Sequence, residues 1–202
     1  MIAILDYGSG NLRSAQRAFA ASGEDVQITS DPQICREAAG LVVPGVGAFQ
    51  SCMSGLLQVH GDEIIRERVA SERPTLGICI GMQILFEVGV EPTRTHIGQS
   101  TGVGVLPGVV SKLSAPILPH MGWNTVAVED GFSLFRGIEE EFFYFVHSYA
   151  ATENVGGVHA WSEYGGKFLA AVESGTLTAT QFHPEKSGRA GLQLIENWIG
   201  KL

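Results

Sequence analysis

Cysteine is scarce in this chain and badly spaced for cross-linking. Its 202 residues hold three, Cys35, Cys52 and Cys79, with no Cys-x-x-Cys pair. An odd, scattered set disfavours a disulfide framework and a cysteine zinc site, and it suits a reducing cytoplasm. Basic charge is also thin. Thirteen Lys and Arg stand against 21 Asp and Glu, for a net charge of −8. With no basic run to neutralise phosphates, a nucleic-acid partner is not expected. No apolar run approaches the ~20 residues of a membrane span, and the start, Met1-Ile2-Ala3-Ile4-Leu5-Asp6, lacks the basic opening and long apolar core of a signal peptide. What is present suits a compact globule: 45% hydrophobic and 17% charged residues, enough for a substantial core in one domain over 1–202.

The order of patterns predicts an α/β fold. Apolar runs at 2–5, 26–29, 41–43 and 76–78 read as strands. Helical patterns follow at 12–22, the first capped by Asn11, then at 49–57, 62–71 and directly after residue 79. Such alternation implies an open, doubly wound, mainly parallel sheet with flanking helices, of flavodoxin-like type, whose ligands sit beyond the carboxyl ends of the strands. Between 103 and 172 the character changes. Short strands at 109–113, 124–128, 142–146, 158–161 and 168–172, punctuated by glycine and proline, predict an antiparallel extension. A buried strand at 177–182 follows, and a closing helix over 188–199 shows an apolar face at Leu192, Ile195 and Ile199.

The chemistry concentrates in two places. In Thr75-Leu76-Gly77-Ile78-Cys79-Ile80-Gly81 an apolar run ends in a cysteine bracketed by glycines, the layout of a nucleophile elbow. A lone cysteine is most often a small packing residue, but packing needs no flanking glycines. The Ile80 N–H is a candidate oxyanion donor, and the start of the next helix would favour the thiolate. Far downstream, Gln181-Phe182-His183-Pro184-Glu185 offers a base and its orienter, because alternate residues of an extended chain face the same way and Pro184 biases His183 toward extension. A metal pair would need a third ligand that the spacing does not supply, so neither metal nor cofactor is expected. Pro44-Gly45-Val46-Gly47 is a turn, or a backbone surface whose Val46 and Gly47 peptides supply a second oxyanion donor. Gly8-Ser9-Gly10 is too partial a dinucleotide fingerprint to imply nucleotide binding. By spacing alone, Tyr144-Phe145-Val146-His147-Ser148-Tyr149 is an aromatic strand.

Together these segments resemble the class I (triad) glutamine amidotransferase family. The elbow and the His-Pro-Glu segment are general to it. Asp6-Tyr7-Gly8-Ser9-Gly10-Asn11, Pro44-Gly45-Val46-Gly47-Ala48-Phe49, Pro119-His120-Met121-Gly122-Trp123-Asn124, the 144–149 segment and Gln181 to Ser187 are narrower. They resemble the glutaminase subunits of imidazole glycerol phosphate synthases, in order and almost end to end. The resemblance implies that Cys79, His183 and Glu185 release ammonia from glutamine through a thioester, for a (β/α)₈-barrel synthase (cyclase) subunit of histidine biosynthesis. It further implies substrate contacts from Gly45, Gln83, Glu91, Ser148 and Tyr149, and a partner-facing surface containing Asn11, Trp123, Tyr144 and Lys186. The segment at 88–102 departs from the family pattern, being longer and less acidic, and Ile80 replaces the usual Leu or Val. Two other readings stay open. One is a triad glutaminase serving anthranilate or aminodeoxychorismate synthesis. The other is a binding subunit that keeps the fold without the chemistry.

Overall fold

The computed structural model describes residues 1–92 and 98–202. The unusual 88–102 segment therefore lies partly outside the described residues. In chain order the elements are β1 (Ile2–Leu5), α1 (Leu12–Ala20), β2 (Val26–Thr29), α2 (Pro32–Glu37), β3 (Gly40–Gly45), α3 (Phe49–Gln58), α4 (Gly61–Ala70), β4 (Thr75–Cys79) and α5 (Ile80–Gln83). Then come β5 (Phe86–Gly89), β6 (Ser100–Thr101), β7 (Leu106–Lys112), β8 (His120–Thr125), β9 (Ala127–Val128), β10 (Phe142–His147), β11 (Tyr149–Ala151), β12 (Val158–Glu163), β13 (Lys167–Ser174), β14 (Leu177–Thr180) and α6 (Gly188–Ile199).

The main sheet runs β2-β1-β3-β4-β14-β13-β12-β9. Its first five strands pair in parallel and the last three add antiparallel, as the sequence predicts. Strands β1, β3, β4 and β14 are buried along their whole length. That is why they read as unbroken apolar runs rather than alternations. The middle segment also builds two smaller units. One is a four-stranded sheet, β11-β7-β5-β6; the other is the ribbon β8/β10. The expected strand at 124–128 is in fact the end of β8 followed by β9, because β8 turns its partnership to β10 while β9 joins the main sheet.

The helix starts obey local chemistry. The Asn11 side chain accepts from the Ser14 N–H, and Asp31 caps α2 with Pro32 in its first turn. On α1, Ala15, Ala18 and Phe19 turn inward at helical spacing. Phe19 meets Trp198 of α6 edge-on, with ring centroids 5.8 Å apart. The buried face of α6 differs from the expected one. Leu194, Ile195 and Trp198 lie inside, while Leu192 is 39% exposed. The large indole at Trp198 rotates the helix so that its own surface is removed from water. The helix after Cys79 is one turn only. The chain then returns at once as β5, so no long helix dipole is aimed at the sulfur.

Candidate active site

The site is built where three parallel strands end at one level. Pairing aligns Gly45 of β3 with Cys79 of β4, and Ile78 of β4 with Thr180 of β14. The residues that follow, Val46 on one side and Gln181 on the other, therefore flank the cysteine. Cys79 has φ 57° and ψ −112°, a strained left-handed conformation for a residue with a Cβ, costing about 1–3 kcal/mol. The glycine at 81 permits it. A Cβ there would stand 1.8 Å from the Val43 carbonyl oxygen, so any side chain would drive the elbow off β3. Ile80 opens α5, where its N–H has no acceptor within the helix.

His183 is extended at φ −99° and ψ 99°, and residues 184–186 form a 3₁₀ turn. Glu185 thus reaches the imidazole through a turn rather than along the extended strand expected from the sequence. The Nδ1–Oε1 distance is 2.8 Å, and both side chains are at least 96% buried. Two bonds pin this turn to the ribbon and a third braces it internally. The His183 N–H donates to the Tyr144 carbonyl at 2.9 Å, and the Ser187 hydroxyl accepts from the Tyr144 N–H at 3.0 Å while donating to the His183 carbonyl at 2.7 Å. His183 Nε2 is buried and has no hydrogen-bond partner among the described residues. Burial pushes the imidazole toward neutrality, but its interactions with Cys79 and Glu185 outweigh that and lift its pKa to about 10. Nδ1 faces the carboxylate, and proximity to the thiol favours the charged ring.

That raised value has a sign. The folded state holds a proton on His183 that the unfolded chain releases near pH 6.5. Its stabilisation is complete below about pH 6.5 and is lost as pH rises toward 10. Urea unfolding from pH 7 to 10 should therefore show stability falling in the native chain and falling less in His183→Asn. Equal slopes for the two chains would contradict the assignment.

A cleft of about 280 Å³ opens over the elbow. Cys79, Ile80, His183, Val46, Gly47, Gln83, Glu91, Ser148, Tyr149 and Lys186 all line it. Sequence reasoning thus places most of its site residues around one cavity. Gly45 is the exception among the expected substrate contacts. It is packed beneath the elbow, where a Cβ would lie 2.6 Å from the Gly81 nitrogen, so only glycine allows this close approach. Gln83 borders the cleft but is 1% exposed, and its amide nitrogen donates to the Tyr149 carbonyl at 2.8 Å and to Gln181 Oε1 at 2.9 Å. With those N–H groups spent inside the protein, contact with a ligand falls to Oε1. Glu91 Oε2 accepts from the Phe49 N–H at 2.8 Å, which holds its carboxylate at the cleft wall.

Of the expected oxyanion backbone, the Val46 N–H is engaged by Ser9 and not by the cleft. The Val46 N–H donates to Ser9 Oγ at 3.1 Å, and the Val46 carbonyl accepts from Ser9 Oγ at 2.9 Å and from Cys52 Sγ at 3.3 Å. Sequence reasoning set Ser9 aside with its glycines; the signal that could have found it was a hydroxyl in a turn at the end of the neighbouring strand. Trp123 and Tyr144 pair across the β8/β10 ribbon, their rings 6.0 Å apart, and Lys186 Nζ lies 6.0 Å from the Tyr144 ring. Asn11 is exposed and caps α1. Among the described residues no group of three or more His, Cys, Asp or Glu is placed to hold a metal ion, and no helix is long and apolar enough to cross a membrane.

The chain belongs to the class-I glutamine amidotransferases, whose family model matches residues 3–202. The imidazole glycerol phosphate synthase subunit HisH of Mycolicibacterium paratuberculosis is 55% identical, with 100% of this chain and 98% of that protein covered. The HisH subunit of Corynebacterium glutamicum is 52% identical over 98% of this chain and 97% of its own. In fold, the chain is similar to a glutamine amidotransferase of known crystal structure, with TM-score 0.75, 18% identity and 98% of each chain covered. It is also similar to PurLQS from Thermotoga maritima, with TM-score 0.72, 18% identity and coverage of 99% and 97%.

Proposed function

We propose that this chain is the glutaminase subunit of an imidazole glycerol phosphate synthase, a single cytoplasmic domain that makes ammonia from glutamine for a (β/α)₈-barrel synthase subunit. The observation that supports it most is the meeting of Cys79, the buried His183–Glu185 pair and the Ile80 N–H around one cleft, in a chain so similar to HisH subunits along its whole length.

The reaction follows from these groups. The Cys79 sulfur attacks the side-chain amide carbon of glutamine as its thiol proton passes to His183, and the oxygen of the tetrahedral adduct takes its charge against the Ile80 N–H. The C–N bond breaks as His183 gives its proton to the departing ammonia. Water then attacks the glutamyl thioester, and His183 takes a proton from that water and passes it to the sulfur as the C–S bond breaks, which returns the thiol and glutamate. Glu185 holds Nδ1, which leaves Nε2 for these transfers and stabilises the imidazolium. The carboxylate of Glu91 suits an α-ammonium group, while Ser148 and Tyr149 border the same space. The exposed ring of Trp123, with Met121 62% and Phe142 54% exposed on the same ribbon, suits burial against a partner.

The deciding experiment is glutamate release by the purified chain, alone and with a histidine-pathway barrel subunit carrying its nucleotide ligand. Release that depends on the barrel supports the reading. Release indifferent to it points to another triad amidotransferase, and folded but inert protein points to the binding-subunit alternative.

A further inference from the structure

A second feature of the site lies behind the triad. Gln181 Nε2 is 3.8 Å from the Cys79 sulfur. Its Oε1 accepts from Gln83 Nε2, which also donates to the Tyr149 carbonyl. That same carbonyl lies 3.0 Å from His147 Nδ1. His147 Nε2 is 3.2 Å from His120 Nδ1, and His120 Nε2 is 3.4 Å from Asn124 Nδ2. Asn124 Nδ2 also donates to the Glu163 carbonyl at 3.1 Å, and its Oδ1 accepts from the Thr125 N–H at 2.9 Å. Gln83, Gln181, His147 and His120 are each at least 95% buried. Asn124 is half-buried and stands next to Trp123 on β8.

The direction of every bond in this series is determined. A carbonyl only accepts, so His147 carries its hydrogen on Nδ1. Burial, with smaller contributions from His120 and His183, pushes His147 down to about 3 despite its bond to Tyr149. The ring is therefore neutral, and its Nε2 accepts. His120 must then donate from Nδ1. Burial lowers its pKa as well, so its Nε2 accepts from the Asn124 amide, which the Thr125 N–H and Glu163 carbonyl hold in one orientation. The His120 ring is also clamped flat, stacked on Tyr164 at 4.1 Å and on Phe145 at 5.0 Å between centroids. At the other end, Gln83 spends its donors on two acceptors, which obliges Gln181 to present oxygen to Gln83 and its NH₂ to the sulfur. A flipped amide at any station would set donor against donor in a buried site, at about 1–3 kcal/mol.

We propose that this buried relay from Asn124 to Gln181 is a positioning device for the Cys79 sulfur, with Gln181 as its terminal donor and Asn124 as its contact with the partner-facing ribbon. It rests on the reading of Cys79 as nucleophile and of β8/β10 as the face that meets the synthase. An N–H aimed at the sulfur strengthens when the sulfur is anionic, so it holds the attacking atom in one rotamer as charge develops. Movement of the ribbon by a partner reaches that donor through bonds with no slack in their proton order. Gln181, His147 and His120 touch the sulfur or its supports, not the reacting carbon, so they are positioning residues.

The test uses the full chain and two variants. Gln181→Met keeps the volume and removes the donor. His120→Phe keeps the ring between Tyr164 and Phe145 and removes both nitrogens. The first readout is the rate of Cys79 alkylation by iodoacetamide on the chain alone, assigned by peptide mass spectrometry. A lost charge-assisted bond predicts about tenfold slower alkylation in Gln181→Met and a smaller slowing in His120→Phe, with thermal midpoints lowered by a few degrees in both, because each leaves a buried partner unpaired. The second readout is glutaminase kinetics with the barrel present, where kcat should fall and KM hold within about twofold, since the lost interaction is made to the nucleophile. Native alkylation rates in Gln181→Met would overturn the proposal, and native rates in His120→Phe would overturn the relay beyond Gln83. A fall in kcat matched by a rise in KM, with alkylation at the native rate, would make the network merely structural. Asn124→Ala, at a half-buried site, replaces His120→Phe if that variant does not fold. If the native complex releases no glutamate, the glutaminase reading fails, while the alkylation rates still decide the relay.

Discussion

Cys79→Ala is expected to abolish glutamate release, with kcat falling on the order of 10⁴-fold or more, as for loss of a nucleophile from other triads. The fold should survive. Cys79 is 2% exposed, and the change removes only a sulfur that borders an open cleft. The other two thiols supply the controls. Burial, and secondarily Asp31, pushes the Cys35 thiol up to about 11, and burial raises Cys52 as well. Both are therefore held protonated at neutral pH, and only the protonated form is present where a nucleophile would need thiolate. Cys35→Ala should leave kcat within about twofold, since a buried protonated thiol there supplies packing alone. Because an acyl thioester can form only on the attacking sulfur, quenching the native complex at steady state should trap a glutamyl adduct on the peptide containing Cys79. Full glutamine-dependent activity in Cys79→Ala would sink both enzyme readings at once.

The fold was largely legible because its central strands are buried on both faces. Ile2 to Leu5 and Leu41 to Val43 have no polar alternation to confuse, and glycine or proline closes each. The elbow was legible for a steric reason: Gly77 and Gly81 are required by backbone packed within van der Waals contact, so the requirement is written in the residues themselves. What stayed hidden depends on register. Nothing local says that Thr180 pairs with Ile78, yet that pairing carries Gln181 to the cysteine. His120 and His147 face each other only because β8 and β10 pair residue for residue, although 27 positions separate them. The ends of α6 were readable, but its buried face was not, since Trp198 outweighs Leu192 in the area it hides. The helix after Cys79 was legible but its single turn was not, because Met82, Gln83 and Ile84 fit a longer helix as well as they fit a turn before β5.

The chain alone should be nearly silent, and a ligand-loaded barrel should raise its glutaminase rate by about 100–1,000-fold, the worth of one oxyanion donor. The reason is the Ser9 hydroxyl. It accepts from the Val46 N–H and donates to the Val46 carbonyl, so both peptides beside the cysteine are held against Ser9 and the Val46 donor is kept from the cleft. Cys52 adds a third bond to the same carbonyl. Room to turn exists: Val46 is 44% exposed, and Gly47, at φ +94°, has nothing within 4 Å of where a Cβ would stand. The two orientations therefore differ mainly by these few hydrogen bonds, each worth about 0.5–1.5 kcal/mol net. Ser9→Ala removes two of them. Its basal glutaminase rate should rise, by up to about tenfold per bond lost, while the rate of the fully activated complex stays the same. The activation ratio then shrinks from below. That pattern separates a latch from a catalytic group, whose loss would lower the upper rate instead. Native chain that hydrolyses glutamine as fast alone as in the complex would show that the resting peptide is already competent, and the Ser9 contact would carry no regulatory meaning.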